Sequence, residues 1–138
     1  MTRVSQIKTD VTCVSFELAA RLESVAEARH QALDWLRQAT RGAVADDVLL
    51  IVSELVTNAV VHSGGATICC DLRLMGSLVH VGVTDEGVSP TGPAVGQPDD
   101  DDDSGRGLLL VSMLCVRWGA AQSASGRRTT WATVRVGG

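Results

Sequence analysis

The spacing of hydrophobic positions changes several times along the chain, and each change predicts an element. Residues 11 to 18, Val-Thr-Cys-Val-Ser-Phe-Glu-Leu, are β-branched and apolar in partial alternation, which predicts a first strand. Val25, Ala28, Ala32, Trp35, Leu36 and Ala39 then recur at three and four residues, the period of one helix face. Ser24, with Glu27 three residues on, has the form of a capping box, and Gly42 marks the helix end. A second helical pattern runs from Ala45 to Val61, with Asp46 and Asp47 in its first turn and Gly64-Gly65 as its stop. Ala66 to Leu74 and Leu78 to Thr84 read as the two strands of a hairpin joined through Met75-Gly76-Ser77.

Beyond this hairpin the periodicity collapses. Pro90, Pro93 and Pro98 and five consecutive aspartates, Asp99 to Asp103, fall between Glu86 and Ser104, which predicts a mobile loop without packed structure. Leu108 to Leu114 then reads as a short helix, and Val116 to Ala121 and Thr129 to Val136 as two strands around a Ser-Gly turn. This order lacks the regular β-α-β alternation of a Rossmann or P-loop domain and predicts an α+β sandwich. The chain contains no G-x-x-x-x-G-K-[ST] and no G-x-G-x-x-G after a strand, so a nucleotide site here has to be of another kind.

Composition narrows the function classes. With 138 residues, 45% of them hydrophobic and 20% charged, the chain fits one domain over residues 1–138. Its net charge of -4 comes from the aspartate run, without which the balance would be slightly positive. Neither balance supplies a strongly basic field, so direct nucleic-acid binding is not expected. The longest apolar runs, Val48 to Val52 and Leu108 to Val111, fall far short of the roughly 20 residues that span a bilayer. Met1 to Asp10 lacks the apolar middle of a secretory signal, and a cytoplasmic location without a membrane partner is the expectation. Cys13, Cys69, Cys70 and Cys115 show no C-x-x-C pair and no nearby His at finger spacing, which predicts reduced core residues rather than a zinc site or disulfides.

Three short segments carry candidate chemistry. Glu54, Asn58 and His62 are spaced by four and stack along one helix face beside the apolar Leu55, Val56, Ala59 and Val60. A carboxamide one turn from a carboxylate suits a magnesium-phosphate site: Asn58 supplies a hard oxygen to Mg²⁺, and Glu54 orients or deprotonates a nucleophile. The same spacing also describes a solvated polar stripe. Asp85, at a strand end, is followed by Gly87, whose missing side chain lets a ligand approach the backbone. A buried carboxylate there accepts from the exocyclic amine of adenine and disfavours guanine, which has an acceptor at that position; Asp-x-Gly is equally an ordinary turn. Ser104-Gly105-Arg106-Gly107 precedes an apolar helix, so backbone amides at that helix start are placed for phosphate oxygens and Arg106 adds charge. A flexible hinge with a cap is the alternative.

Taken in order, Glu54-Leu55-Val56-Thr57-Asn58-Ala59-Val60-Val61-His62, Asp85-Glu86-Gly87-Val88-Ser89-Pro90 and Gly105-Arg106-Gly107-Leu108 resemble the three boxes of the histidine-kinase-like ATPase superfamily. Over about residues 12–136 the chain is similar to the small bacterial anti-sigma factor serine kinases. The resemblance implies a Bergerat-type two-layer α/β sandwich, with helices on one face of a mixed, mostly antiparallel sheet and a mobile ATP lid over about residues 86–104. It implies ATP and Mg²⁺ as ligands, Asn58 as magnesium ligand, Glu54 as catalytic base, Asp85 as adenine reader and Gly87 as its backbone neighbour. Gly105 and Gly107 bracket the phosphates, with Leu108 opening the helix behind them. Arg106 takes the basic lid position, His62 contacts the nucleotide, and Thr129 looks like the last-strand threonine near the adenine.

Asp85-x-Gly87-x-x-Pro90 replaces the Asp-x-Gly-x-Gly of many histidine kinases, which is similar to the anti-sigma branch. His30, His62 and His80 do not stand in a phosphoacceptor hairpin, which argues against a complete sensor kinase, and His30 and His80 read as structural. The resemblance implies an anti-sigma factor that phosphorylates an anti-sigma factor antagonist and sequesters a sigma factor. A nucleotide-regulated binding module without phosphotransfer is the alternative, since the aspartate run beside a γ-phosphate disfavours catalysis. A free-standing ATPase acting in another signalling system is a third. A homodimer face including Trp35 or part of the first helix is also expected from the resemblance.

Overall fold

The computed structural model describes residues 5–9, 12–40, 46–62, 65–86 and 103–136. Its elements run β1 (Ser5–Thr9), β2 (Cys13–Ala19), α1 (Ser24–Ala39), α2 (Asp46–His62), β3 (Thr67–Met75), β4 (Leu78–Asp85), α3 (Asp103–Leu114), β5 (Arg117–Gln122) and β6 (Arg128–Arg135). The strands form one six-stranded sheet in the order β1-β2-β3-β4-β6-β5, and every pairing is antiparallel. The expected α+β sandwich is the observed architecture, and the predominance of antiparallel pairing is complete among the described strands.

Strand alternation separates two unlike faces. Val14, Phe16 and Leu18 of β2, Ile68, Cys70 and Leu72 of β3, Val79, Val81 and Val83 of β4, and Ala132 and Val134 of β6 all point one way. They share one core with Ala28, Ala32, Trp35 and Leu36 of α1, with Val48, Ile51, Val52, Leu55 and Val56 of α2, and with Val111 of α3. All three helices therefore cover the same face. Helix α2 is the central one, lying between α1 and α3 and against β4. Among the described residues no helix is long and apolar enough to cross a membrane.

The opposite face has its own packing. Ser15, Asp71, Gly82, Trp131 and Gly119 lie in register across it. A Cβ on Gly82 would sit 2.7 Å from Asp71 Oδ1, and one on Gly119 would sit 2.9 Å from the Trp131 ring, so both glycines let a larger neighbour lie flat on the sheet. His80 stacks on Trp131 at 6.1 Å between centroids and approaches Asp71 at 4.0 Å, which gives this histidine a place in the surface packing. His30 instead lies exposed on α1, 3.7 Å from Asp34 one turn on.

Several sequence expectations are corrected. Strand β1 was not foreseen, and β2 begins at Cys13 rather than at residue 11. Ser24 is the first helical residue and not the cap: Glu23 holds that position without a side-chain bond, and the buried Ser24 Oγ has no hydrogen-bond partner. The helix closes at Ala39, where the Thr40 hydroxyl and amide both donate to the Leu36 carbonyl at 2.7 and 2.9 Å. Trp35 is only 3% exposed and packs in the core, so it offers no surface for a dimer. Of the free cysteines, Cys70 is in the core, while Cys13, Cys69 and Cys115 are half-buried.

Burial pushes the Asp71 carboxyl above its ordinary range, against the opposing pull of His80 and Arg73. A carboxyl raised by folding favours the folded state below its unfolded value of about 4, and that contribution is lost as pH rises through the folded value. The Asp71→Asn variant should therefore melt higher than the wild type at pH 7, with the gain shrinking towards zero as pH falls below about 4. Thermal melts of both proteins across this range check it.

Candidate active site

Helix α2 positions the first part of the site. Asp46 and Asp47 lie in its first turn, where carboxylates suit the positive end of the helix dipole. Its seam of Val48, Ile51, Val52, Leu55, Val56 and Ala59 is buried against the sheet. The stripe of Glu54, Asn58 and His62 runs along the edge of this seam, so Asn58 is 8% exposed while Glu54 and His62 are half-buried. A freely solvated stripe is thereby excluded at Asn58.

Strand β4 supplies the second part. Asp85 ends that strand, 2% exposed, in a row that crosses the sheet through Leu18, Ile68, Asp85 and Arg128. Its Oδ2 accepts from Arg128 Nη2 at 3.0 Å and from Nε at 3.3 Å. Next in the chain, the Glu86 carboxylate accepts from the amides of Ala66 and Thr67 at 2.8 and 3.3 Å, tying the end of β4 to the start of β3.

The last strand corrects one assignment. Thr129 faces away from the helices, where its hydroxyl lies 2.8 Å from that of Thr84. There it lines an open cavity of about 460 Å³ with Cys69, Thr84, Ala121, Gln122, Ser123 and Arg127. Strand parity puts Thr130, buried and in register with Val83, on the face that carries Asp85. Thr130 is therefore the last-strand threonine on the side of the site, and Thr129 is not.

The third segment is also rearranged. Helix α3 starts at Asp103 rather than at Leu108, so Gly105, Arg106 and Gly107 are helical residues instead of a loop before the helix. Only the first four amides of a helix lack an intrahelical acceptor. The amide of Gly105 belongs to that group, whereas those of Arg106, Gly107 and Leu108 belong to the internal ladder. Asp103 opens α3, so the aspartate run ends inside a helix and at its favourable pole. Gly87 and the remainder of the expected lid, residues 87–102, lie outside the described residues.

Among the described residues no group of three or more His, Cys, Asp or Glu is arranged to hold a metal. The hard oxygen of Asn58 fits the alternative, a Mg²⁺ held by one protein ligand together with waters and phosphates.

The model of the histidine kinase-like ATPase domain matches residues 18–133, and the chain belongs to that family. It is an ATP-binding domain of the histidine-kinase-like ATPase type. No curated protein matches the chain.

Arg128, Thr130 and Glu86 were not singled out from the sequence. Arg128 and Thr130 gain their meaning from the pairing of β4 with β6, which no local pattern announces. The ion pair has a measurable consequence: Asp85→Asn leaves the largely buried Arg128 without its counter-charge, and breaking a buried pair from one side costs about 3–5 kcal/mol. The double variant Asp85→Asn with Arg128→Met should recover most of that loss in chemical denaturation.

Proposed function

We propose that this chain is an ATP-dependent protein-serine kinase of the anti-sigma factor type, which phosphorylates an anti-sigma factor antagonist and in its other state sequesters a sigma factor in the cytoplasm. The observation that carries the reading is Asn58, only 8% exposed on α2, one helical turn from Glu54. Membership of the histidine kinase-like ATPase family supports the nucleotide half of the proposal.

Asp85 accepts from the adenine 6-amine, and Asn58 holds Mg²⁺ beside the phosphates. When bound, the ion neutralises charge on the phosphate oxygens. The amide of Gly105, in the first turn of α3, faces phosphate oxygens, and Arg106 adds positive charge. Glu54 takes the proton of the substrate serine hydroxyl as its oxygen bonds to the γ-phosphorus; the bond from that phosphorus to the β,γ-bridging oxygen breaks, and ADP leaves with the electron pair. Gly87, Gly107, Leu108 and His62 take supporting places around the nucleotide, as the family resemblance implies. A second copy of the chain remains part of the proposal, through a surface other than Trp35.

Calorimetric titration should give ATP binding that Mg²⁺ strengthens, and Asn58→Ala should remove the magnesium dependence with a smaller effect on metal-free ATP binding. Transfer of labelled γ-phosphate to a cognate antagonist should fall about 10²- to 10⁴-fold in Glu54→Ala while ATP binding persists. A wild type that binds ATP yet labels no antagonist would instead be a nucleotide-regulated module that switches partners without phosphotransfer.

A further inference from the structure

The carboxylate assigned above to the adenine amine is already engaged by a cation. Arg128 directs both Nη2 and Nε at one oxygen of Asp85, Oδ2, instead of laying its fork across the two oxygens. The difference matters for how the carboxylate is turned. A parallel fork–fork pair would instead fix one bond on each oxygen, so that both faced the arginine.

Burial adds a second constraint. The Asp85 and Arg128 side chains are 2% and 11% exposed, so their contact is made where water barely reaches. The two residues are also Cα partners in the register between β4 and β6, so the backbone ladder sets how the guanidinium meets Oδ2. The pair consequently sets the orientation of Asp85 before any ligand arrives.

We propose that Arg128 is the positioning residue of the base-reading site: by holding Asp85 in one orientation through Oδ2, it sets the preference for a 6-amino purine over a 6-oxo purine. The inference rests on the reading of Asp85 as the adenine contact. A 6-oxo group sets acceptor against acceptor at a charged carboxylate, whereas a 6-amine donates to it. That discrimination weakens if the carboxylate turns, which Arg128 opposes.

The test is equilibrium titration of ATP and of inosine triphosphate, which carries the 6-oxo purine, into the full chain and into Arg128→Met and Arg128→Lys, with circular dichroism melts of each. The wild type should favour ATP by about ten- to a hundredfold, the range of one charge-assisted hydrogen bond. In Arg128→Met the ratio should drop below about threefold, chiefly through weaker ATP binding. Arg128→Lys, which keeps the charge but not the planar fork, should lie between. A merely structural role lowers both affinities in proportion, so a wild-type ratio in folded Arg128→Met overturns the proposal. Should Arg128→Met fail to fold, Arg128→Lys decides, with an intermediate ratio in support and an unchanged ratio against. A wild type that binds no ATP, or binds both nucleotides equally, overturns the underlying reading of Asp85 itself.

Discussion

Helix α2 has to be the central wall of the core and one wall of the site at once, and most of the molecule is arranged around that requirement. Its seam from Val48 to Ala59 covers the sheet between α1 and α3. The polar stripe cannot be moved off the helix without exposing that seam, and it cannot be centred on the seam without burying a charge. Four-residue spacing along the seam's edge resolves the conflict. Asn58, which is uncharged, takes the buried position, while Glu54 and His62 remain half-buried. Burying a neutral amide costs far less than burying a carboxylate.

The sheet meets the opposite problem at Asp85, where a carboxylate is deeply buried at the end of the row Leu18, Ile68, Asp85. The solution is a cation on the neighbouring strand rather than solvent. A pair of this kind is a weak source of stability, because desolvation of both ions offsets much of their attraction. Two hydrophobic residues would pack as well there. What the pair supplies is an acceptor held in one orientation at a buried position, which an apolar substitute does not provide. The far face of the sheet is free of this demand, and its polar residues reach a looser arrangement in which Asp71, His80 and Trp131 lie over two glycines.

How much of this was legible in the chain depends on the range of the interaction involved. Helices α1 and α2 and the hairpin of β3 and β4 follow from local hydrophobic periods, and their bounds fall within a few residues of the pattern. The stripe of Glu54, Asn58 and His62 is visible for the same reason. Strand β1 escapes because Ser5–Thr9 contains Ile7 as its one strongly apolar residue, and an edge strand needs no alternation to pair. Ser24 looked like a cap because its side chain suits one, yet the turn at Arg21 to Glu23 carries the chain directly into the helix. Thr129 and Thr130 are chemically identical neighbours, and only the pairing of β6 with β4 decides which of them faces the helices. Arg128 is 43 residues from the carboxylate it holds, a distance at which composition and spacing are silent.

The three parts of the site also differ in what holds them, and this bears on how they work together. Asn58 and Glu54 are fixed by the packing of α2, and Asp85 by a strand and an ion pair, so both belong to the rigid core. The start of α3 is carried by a helix that packs along α2, sets Val111 and Leu114 against the core and leaves Leu109, Leu110 and Met113 exposed. A ligand that touches all three parts would therefore bridge the sheet and two packed helices. The base would meet groups that the β4–β6 ladder already sets, whereas the phosphates would meet α2 and the first turn of α3, so recognition of the base and of the phosphates falls to different elements of the fold.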